Sequence, residues 1–383
     1  YWQNSVPIAI FIAIFWVVIL ALNLLPVSFY GEIEFWLPSV KVLTIIGFMI
    51  FAICVNAGAG AEGYIGFRYW VTPGPFNEYL IEGNPALAKF LGFWAVMIKA
   101  GFAYGGTELV GMAVGEAENP RKTIPAAIQK VFYRILIFFV FTVFFIGIIV
   151  PSNDDRLTAS SKGGASATNA NASPLVLAAK RAGVEVLPSI INAVLLTVVI
   201  SAANSNVYTA SRTLIGLAHE GFAPRLFTKT TKSGVPYWSV LFTSLFGLLG
   251  FLNVSNTGST VFEWLMQMAG LAGFITWASL NACHLAFMNA LKARAIKRDT
   301  LPYKAFWQPY FAYYGIFFNI LITLTQGFTA FIPHFKVVDF FINYLSLILF
   351  VLLWIGHKII SRPTFIRPGE ADIDTGRVDD QES

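Results

Sequence analysis

Apolar residues run through this chain in long uninterrupted blocks, separated by short polar connections. A helix needs about 20 mostly apolar residues to cross the hydrocarbon of a bilayer. Nine segments satisfy this, near residues 5–25, 35–56, 91–115, 131–150, 187–210, 235–254, 264–284, 310–332 and 340–356. The blocks are continuous and do not alternate. That excludes a transmembrane β-barrel and predicts an all-α integral membrane protein. Residues 1–356 read as one transmembrane helical domain. Residues 357–383 read as a short cytoplasmic C-terminal tail, too polar to bury a core of its own and therefore disordered.

Polar positions inside the blocks come next. Ionisable groups in hydrocarbon are costly, so each is a functional candidate. They are Lys41, Lys99 and Glu108, with Arg134 and His284 nearer the ends of spans. Lys41 lies roughly 9 Å into its span, counted from residue 35 at 1.5 Å per residue. Either it snorkels to the cytoplasmic face, or it is a buried amine that loads and releases a proton. Lys99 has the same choice between snorkelling and meeting a carboxylate. Glu108 is close to mid-membrane and too short to snorkel. It either bonds freed backbone on a partner helix or takes part in coupling. Thr197, Ser201, Asn204, Tyr208 and Ser211 share one helical face. Such a stripe faces the bundle interior, where interhelical hydrogen bonds explain most of its members. Ser201 and Asn204 lie deepest and are the candidates for more. Gly270 and Gly273 fit either close helix packing or a second broken helix.

The third span carries the most unusual stretch, FAYGGTELVGMAVGEAENPRK. Each glycine weakens a helix by about 1 kcal/mol relative to alanine, so Gly105 and Gly106 predict local unwinding. Discontinuous helices bind polar substrates at the midplane of secondary transporters. A half-helix N-terminus attracts a carboxylate, and unwound carbonyls hold an ammonium or cation. An α-amino acid carries both groups. Beyond the break, Pro120 stops the helix, and Arg121 with Lys122 anchors its edge.

Composition narrows the class. The chain is 56% hydrophobic and 12% charged, with a mean hydropathy of +0.65. Soluble domains carry about 25% charged residues. The net charge of +5 does not point to nucleic acid, because the cations lie between the spans. Their distribution sets sidedness instead. With the connection after the first span taken as cytoplasmic, that side holds more than twice the Lys and Arg of the other, which places the C-terminus in the cytoplasm. The sequon Asn171-Ala172-Ser173 then falls outside. Cys54 and Cys283 lie in apolar blocks and form no disulfide framework or metal spacing. His219, His284, His334 and His357 are scattered singly, which argues against an enzyme and against a metal site. No cofactor is expected. The abrupt apolar start at Tyr1 suggests that earlier residues are missing.

Six motifs in order resemble the fungal amino acid permease family, of the amino acid–polyamine–organocation superfamily. FAYGGTELVGMAVGEAENPRKTIPAAI resembles its sixth helix, and YGEIEFWLPSVKV resembles the start of its fifth. VFYRILIFFVFTVFFIGIIVPSNDDRL is similar to its seventh helix and ISAANSNVYTASRTLIGLAHEGFAP to its eighth. VFEWLMQMAGLAGFITW with CHLAF resembles its tenth, and GEADIDTGR resembles its tail. The resemblance implies a leucine-transporter-like inverted-repeat fold, here truncated to the family's helices four to twelve. It implies proton-coupled import of amino acids across the plasma membrane of a fungus, by alternating access around the broken sixth helix. On that reading the partners are an amino acid substrate, protons and the lipid bilayer. Ala103, Tyr104, Gly105, Gly106, Thr107 and Glu108 would contribute to the substrate site. Lys41 would stand where sodium-coupled relatives bind an ion, with Ser201 and Asn204 on the opposite wall. Without the first helix the 383 residues alone are not expected to transport. Ala286 and Met288 stand where the family usually has arginines, and Lys99 where a small or neutral residue is expected; both bear on substrate preference and gating. A transporter-like amino acid sensor is the alternative function, and the short tail disfavours it.

Overall fold

Two prolines set the first two helices. Pro7 precedes α1 (Ile8–Leu24) and Pro26 precedes α2 (Val27–Cys54). Proline suits a helix start, because its fixed φ is helical and the N–H it lacks would go unpaired there. The computed structural model describes residues 6–112, 119–154, 157, 173–254, 258–332 and 334–375. The sequon asparagine Asn171, and the segment 115–118 of GEAENPRK, lie outside the described residues.

The described residues form helices and connections, with no strand among them. The third helix, α3, spans Pro85–Tyr104, and a short α4 follows at Leu109–Met112. Next come α5 (Pro120–Ile149), α6 (Pro174–Arg181), α7 (Leu187–His219) and α8 (Tyr237–Leu245). The chain continues with α9 (Gly258–Ala293), α10 (Tyr310–Thr325) and α11 (Val337–Ser361). Among the described residues six helical segments are long and apolar enough to cross a membrane, and Ile8–Leu24 and Tyr237–Leu252 are shorter apolar helices. Together they account for eight of the nine expected spans. The remaining one, 91–115, is interrupted at residues 105–108. The protein is an all-α, multi-pass membrane protein. Large apolar side chains such as Leu43, Val199 and Leu353 stand on outer faces, as lipid solvation requires.

Several helices are longer than the apolar blocks that announce them. The second begins at Val27, well before residue 35, and takes in GEIE. Its polar residues are tolerated because Glu34 finds partners on a neighbouring helix.

The contacts divide the chain into two units, Tyr1–Pro75 with Val131–Phe262, and Phe76–Lys130 with Glu263–Ser383. In the first unit α7 is the central element and packs against α1, α2, α6 and α8. A core of Phe48, Ala52, Ile148, Leu177 and Ala178 closes one end. Above it Arg181, at the end of α6, donates to Asp154 Oδ2 at 2.7 Å and Glu62 Oε1 at 2.6 Å. Tyr69 bonds Glu62 and accepts from Arg181. Burial opposes the Arg181 charge, but the Tyr69 hydroxyl and the two carboxylates outweigh it and hold the pKa above the usual guanidinium value. One residue thus joins the end of α6 to the connections that follow α2 and α5.

In the second unit α10 ends in a 3-10 turn, Gln326–Ala330, that packs on α11. Gln326 Nε2 donates to the Asn343 carbonyl at 2.6 Å, and the Tyr344 hydroxyl donates to that of Leu324 at 2.7 Å. Trp94 of α3 donates to Thr325 Oγ1 at 2.9 Å. Beyond α11, Arg294 forms an ion pair with Asp374 at 2.5 Å and donates to the Ala371 carbonyl. Asp372 accepts from the Thr375 hydroxyl and the amides of Thr375 and Asp374, which holds its pKa at about 2.

Arg181→Ala removes the shared partner of two partly buried carboxylates and leaves their charges close together. Breaking a partly buried network should cost about 2 kcal/mol. The expected outcome is a lower unfolding temperature in detergent, with Arg181→Lys intermediate because one ammonium cannot reproduce the guanidinium fork.

Candidate functional site

The first unit gathers three of the residues marked by sequence. Lys41, on α2, donates from Nζ to Ser201 Oγ of α7 at 2.9 Å. Asn204, one turn along α7, accepts through Oδ1 from Asn23 Nδ2 of α1 at 2.8 Å. Ser201 and Asn204 are each 1% exposed. The stripe that begins at Thr197 therefore faces inward as its spacing requires. Tyr208 continues it by stacking on Tyr30 with ring centroids 4.1 Å apart, and the Arg212 guanidinium lies over the Tyr208 ring at 3.9 Å.

The same cluster contains a residue that the hydropathy pattern passes over. Glu34 accepts from Ser201 Oγ at 3.2 Å through Oε2 and from Ser205 Oγ at 2.8 Å through Oε1. The available signal was its spacing. Glu34 precedes Lys41 by seven residues, two helical turns, so the two share a face of α2. The outward pull of the apolar count placed it before the span instead of inside the helix.

The second unit holds the break. Helix α3 ends at Tyr104, residues 105–108 form a turn, and helix resumes at Leu109. Gly106 makes this possible with φ +94°, a backbone region that L-residues other than glycine rarely enter. Ala103 and Gly105 are exposed, while Tyr104, Gly106, Thr107 and Glu108 are half-buried. Glu108 folds back over the turn. Its Oε1 accepts from the Gly106 amide at 3.3 Å, and its Oε2 accepts from Trp277 Nε1 of α9 at 3.1 Å.

Trp277 was not marked by sequence, because a tryptophan in an apolar block gives no polar signal. Its place is fixed by packing one turn away. Phe274 meets Trp277 edge to face at 5.6 Å and fills the notch left by Gly101 on α3. A Cβ on Gly101 would lie 2.2 Å from Phe274 Cζ. The helix α9 runs unbroken through Gly270 and Gly273, so it supplies no second break. Lys99 stands on an exposed face of α3. Among the described residues no His, Cys, Asp and Glu cluster could hold a metal ion.

Chemically, the first unit offers an ammonium and a carboxylate joined through a hydroxyl. The second offers non-helical backbone beside a carboxylate that accepts from the Gly106 amide, the Thr107 hydroxyl and the Trp277 indole.

Comparison with known proteins bears on both. A family model described as amino acid permease matches residues 1–366. The lysine-specific permease of Saccharomyces cerevisiae is 49% identical over 378 residues, covering 98% of this chain and 61% of that permease. The basic amino-acid permease of the same organism is 44% identical over 379 residues, covering 98% and 65%. The proline-specific permease of Emericella nidulans is 42% identical over 381 residues, covering 98% and 68%. The chain thus spans less than two thirds of the length of the first two relatives.

The notch at Gly101 gives a direct test. Gly101→Ala should cost about 1–3 kcal/mol through overpacking against Phe274, despite the higher helix propensity of alanine. Unfolding in detergent should show the loss. Pairing it with Phe274→Leu should recover part of the stability, because the smaller side chain vacates the notch.

Proposed function

Because this chain belongs to the amino acid permease family, we propose that it is the greater part of a proton-coupled amino acid symporter. On this reading the fold is leucine-transporter-like, with inverted repeats, and the chain corresponds to the family's helices four to twelve. Substrate crosses by alternating access around the break at 105–108. The single observation that carries the proposal is that break. Within an apolar span, Gly106 takes the chain out of helical pairing beside a carboxylate, and non-helical backbone at membrane depth is tolerated where it lines a cavity or is buried in protein. Ala103, Tyr104, Gly105, Gly106 and Thr107 would present backbone to the substrate's amino and carboxylate groups. Glu108 would stand at the edge of that site.

Lys41 or Glu108 carries the proton on this reading. Each is ionisable and hydrogen-bonded to a long partner helix, Lys41 from within α2 and Glu108 from the break after α3. Ser201 and Asn204 complete the wall opposite Lys41. We place the substrates among the cationic amino acids, because the first relatives are named for lysine and for basic amino acids. The membrane is the plasma membrane, with the C-terminal tail on the cytoplasmic side. That orientation follows from the excess of Lys and Arg on the connections of one side.

Uptake of radiolabelled L-lysine against external pH, in cells expressing the full reading frame, tests the proposal. Wild-type uptake should rise as external pH falls and collapse when a protonophore removes the gradient. Lys41→Met or Glu108→Gln should abolish that dependence, whichever is the carrier. Unchanged proton dependence in both variants would overturn the assignment.

A further inference from the structure

The cluster in the first unit contains a complete path for a proton. Ser201 Oγ accepts a hydrogen bond from Lys41 Nζ at 2.9 Å and donates to Glu34 Oε2 at 3.2 Å. A hydroxyl can donate and accept at once. Ser205 Oγ donates to the other oxygen of Glu34 at 2.8 Å, which orients the carboxylate. Glu34 and Lys41 are two turns apart on α2, roughly 10 Å along its axis. Their side chains meet on the Ser201 hydroxyl of α7.

From this geometry we propose that Ser201 relays a proton from Lys41 to Glu34. This rests on the reading of the protein as a proton-coupled symporter and adds the route to it. In the step, an Nζ–H bond of the Lys41 ammonium breaks as that proton binds Ser201 Oγ. The hydroxyl's own O–H bond breaks as its proton binds a Glu34 oxygen. Lys41 ends as a neutral amine, Ser201 is unchanged, and Glu34 ends as a neutral acid. Net charge is conserved, and no other reactant enters.

Energetics favour a relay over a lone carrier. An isolated ammonium or carboxylate within the hydrocarbon is costly. Here the ion pair and the neutral pair have the same total charge, so the proton moves without exposing an unpaired ion. The transfer also has a direction. Glu34 is closer than Lys41 to the N-terminal end of α2, the end that the charge distribution assigns to the cytoplasm.

The surrounding elements add few competing charges. Helix α5 packs on α2 through Phe141–Ile149, which contains no ionisable residue. The π-turn after α2, Val55–Ala59, contains none either. From α7 come Tyr208, stacked on Tyr30 of α2, and Arg212, which lies over Tyr208 and donates to Ser211. Helix α1 packs on α7 and presents the amide of Asn23 to Asn204. On α2 itself the other acidic residue is Glu32, two positions from Glu34 and so on a different face.

The test uses the full reading frame, with uptake of radiolabelled L-lysine normalised to protein at the cell surface. Ser201→Ala deletes the bridging hydroxyl and should slow uptake about a hundredfold, the lower end for a positioned proton-transfer group. Ser201→Thr restores a hydroxyl and should stay within about twofold of wild type. Glu34→Gln keeps size and hydrogen bonding but cannot take the proton, so its pH–uptake profile should flatten. In the double variant Ser201→Ala with Glu34→Gln, uptake should fall no further than in the worse single, as residues acting in one step require. Wild-type uptake that ignores the proton gradient would overturn the symport reading and the relay together. Gradient-dependent wild type, with Ser201→Ala equal to Ser201→Thr and Glu34→Gln keeping the wild-type pH profile, would overturn the relay alone.

Discussion

Hydrocarbon offers no hydrogen bonds, so each polar group placed in a span has to find its partner inside the protein. The contact of Lys41 with Ser201 is where this constraint weighs most. An interhelical hydrogen bond between neutral groups in a membrane is worth only about 0.6 kcal/mol on average. A lysine at the centre of a membrane helix costs about 2.5–3.5 kcal/mol even after it has adapted. The pair of Asn23 and Asn204 therefore adjusts the register of α1 on α7, whereas the partner of Lys41 fixes how α2 meets α7. Ser201, Asn204 and Ser211 are buried for the same reason, and the stripe follows the inner face of the longest element of its unit.

That constraint also explains what could be read from the sequence. A helical stripe of polar residues in an apolar block has one sensible orientation, so Ser201 and Asn204 were identifiable by spacing alone. The break was identifiable because two adjacent glycines in a span have few other uses, and Gly106 does take the left-handed backbone that they allow. Glu34 was hidden for the opposite reason. A hydropathy count treats a carboxylate near the end of a block as the end of the block, although its i, i+7 relation to Lys41 was present. Trp277 and Gly101 were not legible, because their roles come from contacts between helices distant in sequence. Arg181 was also invisible. Its partners Glu62, Tyr69 and Asp154 sit on connections whose approach to α6 only the fold decides.

The two units solve the same problem with different chemistry. In the first, an ammonium donates to a serine that also donates onward. In the second, a carboxylate accepts from a backbone amide, an indole and, at 3.5 Å, the Thr107 hydroxyl. A serine hydroxyl can accept one proton while releasing another, whereas an indole N–H is a donor only. The indole and the amide hold Glu108 in place, and the Thr107 hydroxyl meets it only at 3.5 Å, longer than the contacts of Ser201 with Lys41 and Glu34. Ser201 can carry a proton away from Lys41. Of the two ionisable candidates, Lys41 is the one built into a path, and Glu108 is the one built into a position beside the break. On the proposed symport reading, that difference favours Lys41 for the moving proton and gives Glu108 a place beside the break.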